Sequence, residues 1–170
     1  MAGKIDVLLD TSVLVNFARI GRLDLLARHP RYSFFVTDHV RAEVLEHFAE
    51  QFEAVNTAVN GGILTELTAN TTAELEDFGR LLSTKRLGVG ECSAIVVAKH
   101  RSLALGIDDV TARKKALKYD AALTLLGTEE LIASLIREGI LSIEEADRIK
   151  GDWEANHRFT LKFASFRERI

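Results

Sequence analysis

Asp10, Glu43, Glu91 and the pair Asp108-Asp109 are the residues in this sequence whose placement suggests chemistry. Asp10 closes the apolar run IDVLL, and Asp108-Asp109 close the apolar run SLALGI. Glu43 lies one turn into a helical pattern after a third apolar run, and Glu91 follows the turn Gly88-Val89-Gly90 at the start of another. Gathered carboxylates repel one another and retain protons unless a cation neutralises them. Their hard oxygens select Mg²⁺ or Mn²⁺ over zinc. A cation so held activates water and stabilises a phosphoryl transition state, so no side-chain nucleophile is required. Each acid also has a plain structural reading. Asp10 and Asp108-Asp109 suit helix caps, Glu91 complements a helix dipole, and Glu43 shares a helix with Glu46 and Glu50. The ordered set, more than any member, points to a site.

The elements that must position these acids follow from apolar periodicity. Strands are expected over residues 5–9, 33–36, 63–67 and 102–107, with a last one over 121–125. Helices are expected from Thr11, over 23–27, from Thr37 or Asp38 to Phe48, from Thr71 or Thr72 to Leu82 (with Leu75, Phe78 and Leu82 on one face), from Glu91, and over 111–119. Residues 51–60 fit neither period clearly. The tail reads as helical over 128–138, 142–150 and 153–169. Strands alternating with helices imply an α/β fold with a mostly parallel central sheet flanked by helices. Ligand sites in such sheets lie beyond the C-terminal strand ends, which is where Asp10 and Asp108-Asp109 fall.

Composition bounds the rest. A chain of 170 residues, 47% apolar and 28% charged, fits one domain with a real core. No apolar run is long enough to span a membrane, and the segment Met1 to Lys4 is too short for a signal peptide. Cys92 is the single cysteine, which fits a cytoplasmic setting and precludes an internal disulfide. The net charge of −3 runs against nucleic-acid binding, although an acidic metal site lowers the charge of the metal-free chain and bound cations reverse the local field.

The sequence resembles the PIN-domain family in four motifs, in order, over residues 4 to about 120. Asp10-Thr11-Ser12 after a hydrophobic strand is similar to the opening motif, and Val40-Arg41-Ala42-Glu43-Val44 to the second. Gly90-Glu91-Cys92-Ser93-Ala94 resembles the third, and Leu105-Gly106-Ile107-Asp108-Asp109 with Ala112-Arg113 the fourth. The resemblance implies a Mg²⁺- or Mn²⁺-dependent ribonuclease. Many relatives are prokaryotic toxins of the VapC type held inactive by an antitoxin, and they commonly dimerise. It implies Asp10, Glu43, Glu91 and Asp109 as the acidic quartet, Asp108 as a near-equal choice for the last metal ligand, and Ser12 as support. The expected organisation is a PIN-like domain over 1–126 with a helical extension over 127–170 packed on it. That extension and the Thr124 region depart from a compact PIN toxin.

Other features have competing readings. Arg113, Lys114, Lys115 and Lys118 form a basic cluster that either meets RNA phosphates or is a solvated face. His39, Glu43 and His47 share a helix face and read best as a polar rim, and Cys92 as a small core residue. Trp153, Phe159, Phe163 and Phe166 suit packing better than base stacking, though a tail rich in Leu, Ile and Phe could also cover a homodimer groove. A haloacid-dehalogenase-like phosphatase needs a second Asp where Ser12 stands. A non-catalytic binding module leaves the cost of converging acids unexplained.

Overall fold

The structure, a computed structural model, describes residues 3–170. Met1 and Ala2, which open both the segment tested for a signal peptide and the expected domain, lie outside the described residues. Five strands form one sheet in the order β3-β2-β1-β4-β5: β1 (Ile5–Leu9), β2 (Tyr32–Thr37), β3 (Leu64–Leu67), β4 (Ala104–Gly106) and β5 (Leu125–Leu126). Every pairing is parallel. Parallel neighbours need crossovers, and helices supply them. These are α1 (Thr11–Arg19), α2 (Asp24–Arg28), α3 (Asp38–His47), α4 (Ala49–Asn60), α5 (Thr72–Ser83), α6 (Val89–His100) and α7 (Val110–Tyr119). Two more, α8 (Thr128–Arg137) and α9 (Ile143–Asn156), follow the last strand.

The central strand is apolar because both faces are covered: Val7, Leu8 and Leu9 are fully buried. The same core includes Phe17 of α1, Ile95 and Val97 of α6, Leu131, Ile132 and Leu135 of α8, and Trp153 of α9. Among the described residues, no helix is long and apolar enough to cross a membrane.

The expected fold class is the observed one, with several local differences. Residues 51–60 lie in α4, and α6 begins at Val89, with Gly88 as its cap. The last strand is shorter and later than expected because Asp120 draws Ala121 to Leu123 into a turn. Its Oδ1 accepts from the Ala122 N–H at 2.9 Å and its carbonyl from the Leu123 N–H at 3.2 Å. The expected inward stripe of α5 is also displaced. Leu75 is 52% exposed, while Glu74 is buried against Arg101 at 2.7 Å and pairs with its own helix cap. A strong ion pair at the end of α6 outweighs the apolar period there.

The tail departs most. α9 continues through Gly151 to Asn156, where the Trp153 carbonyl accepts from both His157 N–H (3.0 Å) and Phe159 N–H (3.3 Å). Arg158 between them takes a positive φ of 53°. That wrap ends the helix, so 157–165 is irregular and only Phe166–Arg169 forms a 3₁₀ turn. Asp147 holds the turn, accepting from Ser165 Oγ at 2.6 Å and Phe166 N–H at 2.8 Å. Trp153, Phe163 and Phe166 are thereby buried in the chain's own core and are not free to cover a partner.

Candidate active site

β1 and β4 lie side by side with Leu9 paired to Gly106, so Asp10 and Asp108 leave the sheet at the same edge. The Asp10 N–H continues the ladder to the Gly106 carbonyl at 2.8 Å. Asp10 then caps α1, its Oδ2 accepting from the Ser12 N–H at 3.2 Å and from Ser12 Oγ at 2.8 Å. Ser12 Oγ in turn accepts from the Asp108 N–H at 3.1 Å. One hydroxyl, 96 residues before Asp108 in the sequence, thus ties the two strand ends together. The other oxygen of Asp10, Oδ1, is buried and has no hydrogen-bond partner among the described residues.

Glu43 reaches from α3 and Glu91 from the first turn of α6. Glu43 Oε2 accepts from Thr11 Oγ1 at 3.1 Å, and Glu91 Oε2 from the Gly88 N–H at 2.9 Å. Gly90 makes the approach of these helices possible: a Cβ there would stand 2.0 Å from Glu43 Oε2. Asp108 is held by both oxygens. Oδ1 accepts from the Thr128 N–H at 2.8 Å, and Oδ2 from Thr128 Oγ1 at 2.5 Å and Asn16 Nδ2 at 3.0 Å. Asp10, Glu43, Glu91 and Asp108 all line one cavity of about 300 Å³, with Ser12 beside them. Asp109 does not line it. It is exposed and caps α7, accepting from the Ala112 N–H at 2.7 Å, although its charge acts on Glu91.

Burial pushes the Asp10 carboxyl up to about 7, and the charges of Glu91 and Glu43 act the same way against the Ser12 hydrogen bonds. Burial likewise raises Glu91, with repulsion from Asp109 and Glu43 added and the Gly88 N–H opposing. Asp108 is raised by burial, with its Thr128 bonds opposing. Burial is thus the first cause in all three carboxyls, and repulsion from other acids of the same cavity adds to it for Asp10 and Glu91. Among the described residues, no three His, Cys, Asp or Glu side chains stand close enough together to hold an ion jointly. Thr11 and Gly88 engage one oxygen each of Glu43 and Glu91. The unpartnered Asp10 Oδ1 and the all-carboxylate donor set fit a hard divalent cation.

A PIN-domain family model matches residues 6–150. The chain belongs to the PIN-domain family. No curated protein matches it in sequence. Among solved structures, PAE2754 from Pyrobaculum aerophilum is similar, with a TM-score of 0.55 and 16% identity over 78% of this chain and 90% of that one. So is a PilT N-terminus domain protein, SSO1118, from the archaeon Sulfolobus solfataricus P2, with 0.52 and 16% over 76% and 92%. VapBC-1 from nontypeable Haemophilus influenzae aligns with 0.50 and 13% over 73% and 98%. At such identities the likeness is one of fold.

In this PIN domain the basic cluster after Asp109 divides. Arg113 is partly spent within the fold, donating to the Ile107 carbonyl at 2.8 Å and pairing with Glu130 at 3.7 Å. Lys114 is exposed, Lys115 donates to the Arg86 carbonyl, and Lys115 and Lys118 line a separate cavity with Tyr119. His39 packs against Phe78 and His47 lines a neighbouring cavity, so the His39-Glu43-His47 face does not converge. Burial pushes the Cys92 thiol up to about 11, which suits a core residue. Sequence reasoning did not single out Thr11, Asn16, Arg19, Phe48, Thr128 or Arg158. A signal existed on α1: Ser12, Val15, Asn16 and Arg19 recur at helical spacing and all line the acid cavity. Thr128 and Arg158 carry none, since folding alone brings the first to Asp108 and the second to the cavity.

Proposed function

We propose that this PIN domain is a divalent-metal-dependent endoribonuclease that hydrolyses RNA phosphodiester bonds. The observation that carries the reading is the buried Asp10, whose Oδ1 has no partner, in one cavity with Glu43, Glu91 and Asp108. Asp10, Glu43, Glu91 and Asp108 would hold Mg²⁺ or Mn²⁺ through one or two carboxylates at a time, with water completing the shell, and Asp109 would add negative charge from the rim. When bound, the cation lowers the pKa of water and offsets phosphoryl charge. The chain's own residues set the frame for this. Ser12 fixes the rotamer of Asp10 and the height of Asp108, while Asn16 and Thr128 hold Asp108 against rotation. Lys114, Lys115 and Lys118 would meet phosphates at the margin, with Arg113 bracing α7. The family resemblance extends the proposal to a toxin restrained by an antitoxin protein, and to a homodimer.

The test is cleavage of single-stranded and structured RNA with Mn²⁺ or Mg²⁺. Asp10→Asn keeps the shape and removes the charge, so it should fold and fail to cut, whereas Cys92→Ala should cut nearly as wild type does. An active Asp10→Asn protein defeats the proposal. A wild type that binds RNA and cuts none with either ion supports a non-catalytic binding module instead.

A further inference from the structure

The acid cavity does not end at the carboxylates. Arg19, Phe48 and Arg158 line it and also line a second cavity of about 570 Å³, which continues past His47, Gln51 and His157. Among the described residues, neither Arg19 nor Arg158 is in an ion pair. Each guanidinium therefore offers charge-assisted donors within a pocket whose other charged groups are carboxylates. A polyanion approaching those carboxylates is repelled, and cations at the same opening offset that repulsion. Guanidinium matches a phosphate with paired donors better than any other side chain does.

We propose that Arg19 and Arg158 form a phosphate-binding step that seats the single-stranded RNA next to the bond to be cut, and that the C-terminal tail builds it. The inference rests on the nuclease reading for the acid cavity and adds the path of the strand. The step is formed by two distant parts of the chain. Arg19 ends α1, lies over the Phe48 ring with its Cζ 5.3 Å from the centroid, and donates to the His157 carbonyl at 3.4 Å. Arg158 sits in the turn that ends α9, held in its left-handed conformation by the two N–H groups converging on the Trp153 carbonyl. Trp153 is fully buried and donates its indole N–H to the Asn16 carbonyl at 2.8 Å, so the turn is fastened to the helix that carries Arg19. Phe159, next in the chain, also lines the acid cavity. Residue 158 lies beyond the span matched by the family model, so this part of the site is supplied by the chain's own tail. Phe48 and Phe159, both half-buried, line the acid cavity beside the two arginines, and aromatic faces next to cations suit the unpaired bases of a single strand.

The experiment measures binding of a short random-sequence single-stranded RNA to the wild-type protein with divalent ions chelated, over a range of salt. Arg158→Gln, Arg19→Gln and, as a control at the opposite sheet edge, Arg31→Gln are compared. Each of the first two should weaken binding about tenfold, the worth of one charge-assisted hydrogen bond, and lower the salt slope by about 0.7 for each phosphate no longer neutralised. Arg31→Gln should change neither. Unchanged affinity and slope in both test variants, or a wild type that binds no RNA, overturns the proposal. Equal binding of a polyglutamate peptide, with the same dependence on the two arginines, overturns RNA as the occupant. A wild type that binds through both arginines but never cuts with Mn²⁺ restored supports the step while defeating the nuclease reading.

Discussion

Trp153 and Asn16 are joined by a buried 2.8 Å hydrogen bond from the indole nitrogen to the backbone carbonyl, across 137 residues of sequence. The Asn16 side chain donates to Asp108, so the far end of the chain is coupled to a carboxylate of the candidate site through one residue. Trp153→Phe should cost about 1–3 kcal/mol, the penalty of a buried acceptor left unpaired. Trp153→Ala should cost about 3–5 kcal/mol through the cavity it creates. Denaturant midpoints with an unchanged slope would measure both, and equal costs for the two variants would show that the hydrogen bond, and not the ring's volume, dominates.

Asp108 and Asp109 should separate by phenotype. Asp108→Asn should abolish cleavage, because its side chain faces the cavity. Asp109→Ala should lose about 0.5–2 kcal/mol of stability as a missing helix cap, with cleavage reduced far less. Thermal melts and Mn²⁺-dependent cleavage on both variants check this, and the reverse pattern would assign the last ligand to Asp109.

The metal-free protein should be destabilised as pH rises. Asp10 has a native pKa of about 7 against an ordinary value of 3.8, so the native state binds its proton more tightly. The stability tied to that proton is complete below about 4 and is lost as pH rises through 7. Asp10→Asn should therefore raise the melting temperature at pH 8 and change it little at pH 4. A melting-temperature difference between variant and wild type that stays flat over this range would contradict the prediction.

His29 should act in the opposite direction. Burial lowers it to about 4, while its Nε2 lies 3.1 Å from Ser134 Oγ and its Nδ1 accepts from the Arg31 N–H. The unfolded chain takes up that proton first, so stability is lost as pH falls from about 6.5 through 4. His29→Gln should be less stable than wild type at neutral pH and should lose less on acidification. Melting curves of the two proteins between pH 7 and 4 provide the check.

Mn²⁺ or Mg²⁺ should raise the melting temperature by mass action on the native state, and the rise should grow with pH as the carboxyls give up protons. Asp10→Asn should show a smaller rise, and calorimetry at several pH values would register the protons released on binding. Identical responses from wild type and variant would remove Asp10 from the ligand set.

The sequence by itself determined the fold class and the edge at which the acids gather. Apolar runs ending in Asp10 and Asp108 must be buried parallel strands, and adjacent parallel strands end on one side. It also carried the helical spacing of Ser12, Asn16 and Arg19, which lies within one short helix and needs no distant partner. The tertiary structure decided what depends on encounters across the fold. It turned Asp108 to the cavity and Asp109 to a helix cap, because Thr128 and Asn16 supply three hydrogen bonds to the former and the Ala112 N–H claims the latter. It buried Glu74 in place of Leu75, because Arg101 at the end of α6 offers a guanidinium no local period could reveal. It also ended α9 at Asn156 and carried Arg158 to the acid cavity, because the Trp153 indole finds its acceptor on α1 and its carbonyl gathers the N–H groups that follow. Periodicity reports which face of an element is apolar, whereas these outcomes depend on which polar partners meet once those faces have packed.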